Sequence, residues 1–109
     1  LASSTSRPSV EGHLERAGIR EYFRSLTTGD MVEHSKPCPD IYLMACKSLG
    51  VEPARALAIE DSPNGIRAAH SAGMIPVMVP DLIAPDQEMR EKSVLICRDL
   101  LEVMRFLDR

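Results

Sequence analysis

The stretch Leu57-Ala58-Ile59-Glu60-Asp61-Ser62-Pro63-Asn64-Gly65 decides the reading of this chain. A short apolar run ends in two adjacent carboxylates. A helix-start signal follows at once: Ser62 in the capping position, Pro63 at the first helical position, then an amphipathic segment to Ala72. In an open α/β sheet, ligands bind outside the carboxyl ends of the strands, which is where this pattern puts Glu60 and Asp61. Two neighbouring acids repel each other unless a cation lies between them. Mg²⁺ suits such a pair, because it is a hard ion held by one or two carboxylates together with substrate phosphate. Taken alone, the same pair is equally a surface feature beside a cap, so the rest of the chain has to decide.

Working outward, strands and helices alternate. Leu1-Ala2 reads as the tail of a strand and Ser3 to Ser6 as the loop after it. Arg7 to Ala17 is a helix with Val10, Leu14 and Ala17 on one face, ended by Gly18. Tyr22-Phe23 is an aromatic anchor, Ser25 to Thr28 a short strand, and Gly29-Asp30 its break. A stiff connector, Ser35-Lys36-Pro37-Cys38-Pro39-Asp40, leads into a helix that starts at Pro39. That helix carries Ile41, Met44, Ala45 and Leu49 on one side and is closed by Gly50. Further strands are expected at Ala56 to Ile59, Ile75 to Val79 and Ser93 to Cys97, with Pro76 placing the first residues of the second at the end of the sheet. Pro80 to Asp86 reads as a polar loop. Asp99 to Leu107 is a terminal helix with Leu100, Val103, Met104 and Leu107 on one side. This alternation predicts an α/β, doubly wound, Rossmann-like parallel sheet without repeats or an internal domain boundary.

Three polar features fall beyond strand ends or at helix starts. Ser3, with the backbone amides of Ser4 and Thr5, can form an anion cradle. Lys36 is presented from a frame stiffened by Pro37 and Pro39. Glu60 and Asp61 supply the metal-binding acids. An anion-binding hydroxyl, a fixed cation and a carboxylate pair are the parts of a phosphoryl-transfer site, where positioning and charge neutralisation carry the reaction. A nucleophile with a partner base is not evident. His13, His34 and His70, Arg7 and Asn64 read as surface or helix-end residues, and the six methionines as core filler.

With these motifs in order, the chain resembles the haloacid-dehalogenase-like (HAD) hydrolase superfamily, in its β-phosphoglucomutase-like branch. The family's second motif, a Ser or Thr at a strand end, is matched by Leu1-Ala2-Ser3-Ser4. Its third, Lys-Pro-x-Pro-Asp, is matched by Lys36 to Asp40, continuing Ile41-Tyr42. Its fourth, Glu-Asp-Ser-x-x-Gly, is matched by Glu60 to Gly65. The resemblance implies an Mg²⁺-dependent phosphatase or phosphomutase acting through an aspartyl-phosphate on a small phosphorylated metabolite of the sugar phosphate kind. It implies phosphate binding by Ser3, Ser4, Thr5 and Lys36, with Lys36 and Ser3 serving catalysis and Asp61 and Glu60 the metal. The family's first motif, Asp-x-Asp, and its cap domain have no match between Leu1 and Arg109. Residues 1–109 therefore read as the C-terminal portion of the core domain, incomplete and inactive alone. Leu1 opens the chain in an apolar-to-small stretch, and further sequence is expected upstream.

In the family sheet the first-motif strand is central, between the strand ending at Ser3 and that ending at Glu60. Without it two inner edges are unpaired, and each backbone group buried without a partner costs about 1–3 kcal/mol. A domain has only about 5–15 kcal/mol of net stability. Independent folding with family geometry is therefore not expected: upstream sequence, or a second copy, would fill the gap. Two other functions compete. A receiver-type signalling domain shares the acids, hydroxyl and Lys, but there the acids precede the Lys; here Lys36 comes first. A non-catalytic remnant that self-associates through its sheet edges fits the missing Asp-x-Asp.

Composition agrees with a small globular domain. The chain has 109 residues, 44% hydrophobic and 27% charged, and only 4% aromatic. A net charge of -3 offers no electrostatic footprint for nucleic acid. No apolar run approaches the ~20 residues of a membrane span. Cys38, Cys46 and Cys97 are odd in number and widely spaced, as expected for reduced thiols of a cytoplasmic protein.

Overall fold

A computed structural model describes residues 1–108. Strands and helices alternate along them: β1 (Ala2–Ser3), α1 (Arg7–Ala17), β2 (Thr27–Thr28), α2 (Asp40–Leu49), β3 (Leu57–Glu60), α3 (Pro63–Ser71), β4 (Ile75–Met78), α4 (Gln87–Lys92), β5 (Leu95–Ile96) and α5 (Leu100–Leu107). Every ladder is parallel. Ala2 and Ser3 lie opposite Thr27 and Thr28; Leu57 through Glu60 lie opposite Ile75 through Met78; Val77 and Met78 lie opposite Leu95 and Ile96. This is the α/β architecture that the alternation predicts.

The ladders fall into two pieces, β1-β2 and β3-β4-β5. β1 and β3 each keep one unpaired edge, and a cleft of about 260 Å³ lies between them, lined by Ala2 on one side and Leu57, Ala58 and Ile59 on the other. Helix α2 joins the pieces. It packs on β1, β2 and α3, and its Ile41 and Tyr42 share a core with Ala58, Ala68, Ala69 and Ala72, against which Ala2 and Met74 also pack. A second core sets Ile66, Met78 and Met89 together, all at most 1% exposed. Burying each such side chain stabilises by about 1.5–3 kcal/mol.

The helix signals act as their chemistry demands. Ser62 Oγ accepts the Gly65 N–H at 3.1 Å, with Pro63 first in the helix. Asp99 accepts from the Glu102 N–H at 2.8 Å and so starts α5. Gly18 and Gly50 close α1 and α2 at φ 71° and 70°, a left-handed turn that costs other residues more.

Several details differ from the expectation. Pro39 caps α2 and Asp40 is its first residue. The inward face of α2 is Ile41, Tyr42 and Cys46, while Leu49 is 40% exposed, because the helix faces two sheet pieces and α3 at once. Pro76 lies within β4 opposite Ala58, and its carbonyl accepts from the Val94 N–H. On α5 only Val103 is buried, and Leu100, Met104 and Leu107 are exposed. Helix α4 has no counterpart among the predicted elements; Asp86 caps it by accepting from the Met89 N–H at 2.9 Å. No described helix is long and apolar enough to cross a membrane. Cys46 and Cys97 are buried and Cys38 is exposed, all three as free thiols.

Candidate active site

The fold carries Lys36 to the carboxyl end of β3. The turn before α2, closed by the Cys38 N–H to the Ser35 carbonyl, presents Lys36, and the Lys36-Pro37 bond is cis. Lys36 Nζ donates to Glu60 Oε1 at 2.9 Å, with the two side chains only 13% and 10% exposed. The ammonium also stands 5.1 Å from the centroid of the Tyr42 ring, within cation–π range. Burial, and next the Glu60 carboxylate, push the Tyr42 phenol well above its ordinary pKa.

Glu60 reaches this position because Gly65 has no side chain. A Cβ at Gly65 would overlap Glu60 Oε2 and Cδ and stand 2.8 Å from its Cγ. The family motif ends in this glycine, and its role is steric: it opens the first turn of α3 to the carboxylate. Asp61, one residue on, is exposed and has no hydrogen-bond or ion-pair partner among the described residues. It lines a cleft of about 750 Å³ at the carboxyl ends of β3, β4 and β5 with Glu60, Asp81 and Arg98.

Ser3 ends β1, across the narrow cleft from β3. Its hydroxyl accepts the Thr5 N–H at 3.2 Å, so that amide is already engaged, whereas Ser4 is exposed. The loop is braced from β2. Gly29 donates to the Thr5 carbonyl at 3.1 Å, and a Cβ at Gly29 would collide with the Ser4 carbonyl. Asp30 accepts the Thr28 hydroxyl at 2.6 Å and the Arg7 N–H at 3.2 Å, thereby capping α1 in place of Ser6. The Thr28 hydroxyl, then the Arg7 amide, hold the Asp30 carboxyl below its usual pKa. Lys36 and Glu60 are thus in contact, Asp61 is adjacent in sequence, and the Ser3 loop belongs to the other sheet piece. The steric part of Gly65, the ring of Tyr42 and the brace from Asp30 are not singled out by the sequence reading. Only the glycine's fixed place five residues after Glu60 hints at its part.

Glu60, Asp61 and Asp81 offer hard oxygen donors, which suit Mg²⁺ rather than a softer metal. One of these carboxylates is committed to Lys36. No group of three or more His, Cys, Asp or Glu is placed to hold a metal among the described residues. A donor set of one or two carboxylates still fits Mg²⁺, which keeps several waters.

Comparison with known proteins agrees with the fold. The family described as haloacid dehalogenase-like hydrolase matches residues 1–73. YhcW of Bacillus subtilis (strain 168) is 49% identical over 83 residues, which is 76% of this chain and 38% of that protein. The fructose-1-phosphate phosphatase YqaB of Escherichia coli (strain K12) is 41% identical over 65 residues, 60% of this chain and 35% of that protein. The crystal structure of CbbY from Rhodobacter sphaeroides in complex with phosphate superposes with a TM-score of 0.83 at 38% identity, covering 94% of this chain and 46% of that one. This chain belongs to the haloacid dehalogenase-like hydrolases, in their β-phosphoglucomutase-like branch. It spans less than half the length of each of these three relatives.

Proposed function

We propose that these residues form the carboxyl-side part of the core of an Mg²⁺-dependent phosphohydrolase or phosphomutase whose substrate is a small phosphorylated metabolite of the sugar phosphate class. The observation that carries this reading is the Lys36 ammonium fixed against Glu60 at a strand end, one residue from the free carboxylate of Asp61. Support also comes from the fructose-1-phosphate phosphatase and the phosphate-bound CbbY among the relatives.

In this reading Lys36 neutralises the transferring phosphoryl group and moves no proton. The Ser3 hydroxyl turns to donate to a phosphoryl oxygen, and the Ser4 amide donates beside it. The Thr5 amide joins only when Ser3 releases it. Asp61 would hold Mg²⁺ directly and Glu60 through water; the ion would supply charge neutralisation and Lewis acidity. The nucleophilic Asp-x-Asp strand lies outside these residues and fits between β1 and β3, so residues 1–109 alone form no aspartyl-phosphate. The test is Lys36→Met in the full-length protein. The expected result is a loss of at least about a hundredfold in phosphate release, in the range seen when one preorganised transition-state donor is removed. Wild-type turnover would reject the assignment.

The free edges of β1 and β3 and the exposed Leu57 and Ile59 favour a second reading, in which a second copy covers them. Sedimentation of residues 1–109 as a dimer would support it, and a folded monomer would exclude it.

A further inference from the structure

We propose that Tyr42 is a positioning residue for Lys36: its ring and the Glu60 carboxylate both contact the ammonium, so that Lys36 is held in place before any phosphate arrives. The proposal rests on the reading of Lys36 as the phosphoryl-neutralising cation.

A lysine ammonium has three N–H donors on a flexible stem. At 13% exposure it has little water to satisfy them. Glu60 Oε1 takes one at 2.9 Å. The Tyr42 ring, 5.1 Å away at its centroid, offers its negative π face as a second acceptor. One donor is then left for a phosphoryl oxygen. The ring is held in the core. Tyr42 is 6% exposed, sits in the first turn of α2 and is wedged in the core with Ile41, Ala58 and Ala68. The pair of contacts is therefore built on rigid elements: a core aromatic from α2 and a carboxylate from β3 seated in the notch left by Gly65. Preorganised charge is worth more in catalysis than charge that must be gathered during the reaction. Contact with the ring also leaves a ring-current shift on the ammonium-bearing carbon, which makes the contact itself observable.

The experiment uses the full-length protein labelled with ¹³C at lysine Cε. The Lys36 signal is assigned by its disappearance in Lys36→Arg. In the wild type the Lys36 Cε protons should lie upfield of those of the exposed Lys47, through the ring current of Tyr42. Tyr42→Phe keeps the ring and loses only the phenol that faces Glu60, so it should keep that shift and retain a kcat clearly above that of Tyr42→Leu. Tyr42→Leu removes the ring and should move the signal to the Lys47 position. It should also lower kcat about tenfold with KM within about twofold, the signature of an interaction that matters in the transition state. A role confined to packing would lower the amount of active protein and leave kcat per folded molecule at the wild-type value. Lys36 protons coincident with those of Lys47 in the wild type would overturn the proposal even if Tyr42→Leu failed to fold. So would wild-type kcat in folded Tyr42→Leu. Full activity in Lys36→Met would reject the functional reading instead, while the wild-type shift would still establish the contact.

Discussion

The steric role assigned to Gly65 makes Gly65→Ala a test of how the acid pair is arranged. Gly65 is the third residue of α3. On helix propensity alone, alanine there should stabilise by up to about 1 kcal/mol. The added Cβ, however, would overlap the Glu60 carboxylate and press on Cγ at 2.8 Å. Because Cγ is involved, rotating the carboxylate alone does not relieve the clash, and Glu60 must change its side-chain rotamer. That breaks the 2.9 Å contact with Lys36. A hydrogen bond between charged groups contributes about 1.5–3 kcal/mol. The two terms oppose each other, and the loss is the larger, so Gly65→Ala should destabilise the full-length protein by about 0.5–2 kcal/mol. In a Glu60→Ala background nothing remains to collide with, and the same substitution should stabilise by about 0.5–1 kcal/mol. Urea unfolding of the four proteins closes a double-mutant cycle with an expected coupling of about 1.5–3 kcal/mol. Equal destabilisation by Gly65→Ala in both backgrounds would refute the notch.

Two further predictions concern the site and the chain. Tyr42 has a native pKa raised above the ordinary phenol value of about 10, so its neutral, buried form contributes stability in full below that pH. The contribution is lost as the pH rises beyond it. Alkaline unfolding followed by far-ultraviolet circular dichroism should therefore begin at higher pH in Tyr42→Phe; identical midpoints would contradict this. Residues 1–109, purified alone and confirmed by mass, should release no phosphate from an aryl phosphate with Mg²⁺ present. Turnover that vanished in Asp61→Asn would show a nucleophile within these residues.

Much of this arrangement can be read from the sequence because its signals are local. Ser62 and Pro63 start α3, Gly18 and Gly50 end α1 and α2, and apolar runs alternating with helical periods give a parallel α/β order. Lys36, Glu60 and Asp61 stand out because charge beside a stiff turn or a strand end is conspicuous. What cannot be read is set by tertiary contact. The inward face of α2 turns to Tyr42 and Cys46 because that helix bridges two sheet pieces. Helix α4 has only six residues, too few for a periodic pattern, and its existence depends on the Asp86 cap and on Met89 filling the space beside Ile66 and Met78. Asp30 looks like a strand breaker and turns out to cap a helix 23 residues away in sequence. Tyr42 enters the sequence reading only as the residue that follows Ile41 after the Lys-Pro-x-Pro-Asp motif, because no periodicity reveals that a cation lies over its face.

The most direct test of the central claim is Mg²⁺-dependent phosphate release by the full-length protein and its Asp61→Asn variant, measured side by side across Mg²⁺ concentrations. Asp61 is the one member of the acid pair with no partner among the described residues, and the account makes it the principal metal ligand. Asp61→Asn should bind phosphate in the presence of Lys36 yet show no Mg²⁺-dependent turnover. An unchanged rate and an unchanged Mg²⁺ requirement in Asp61→Asn would contradict the account.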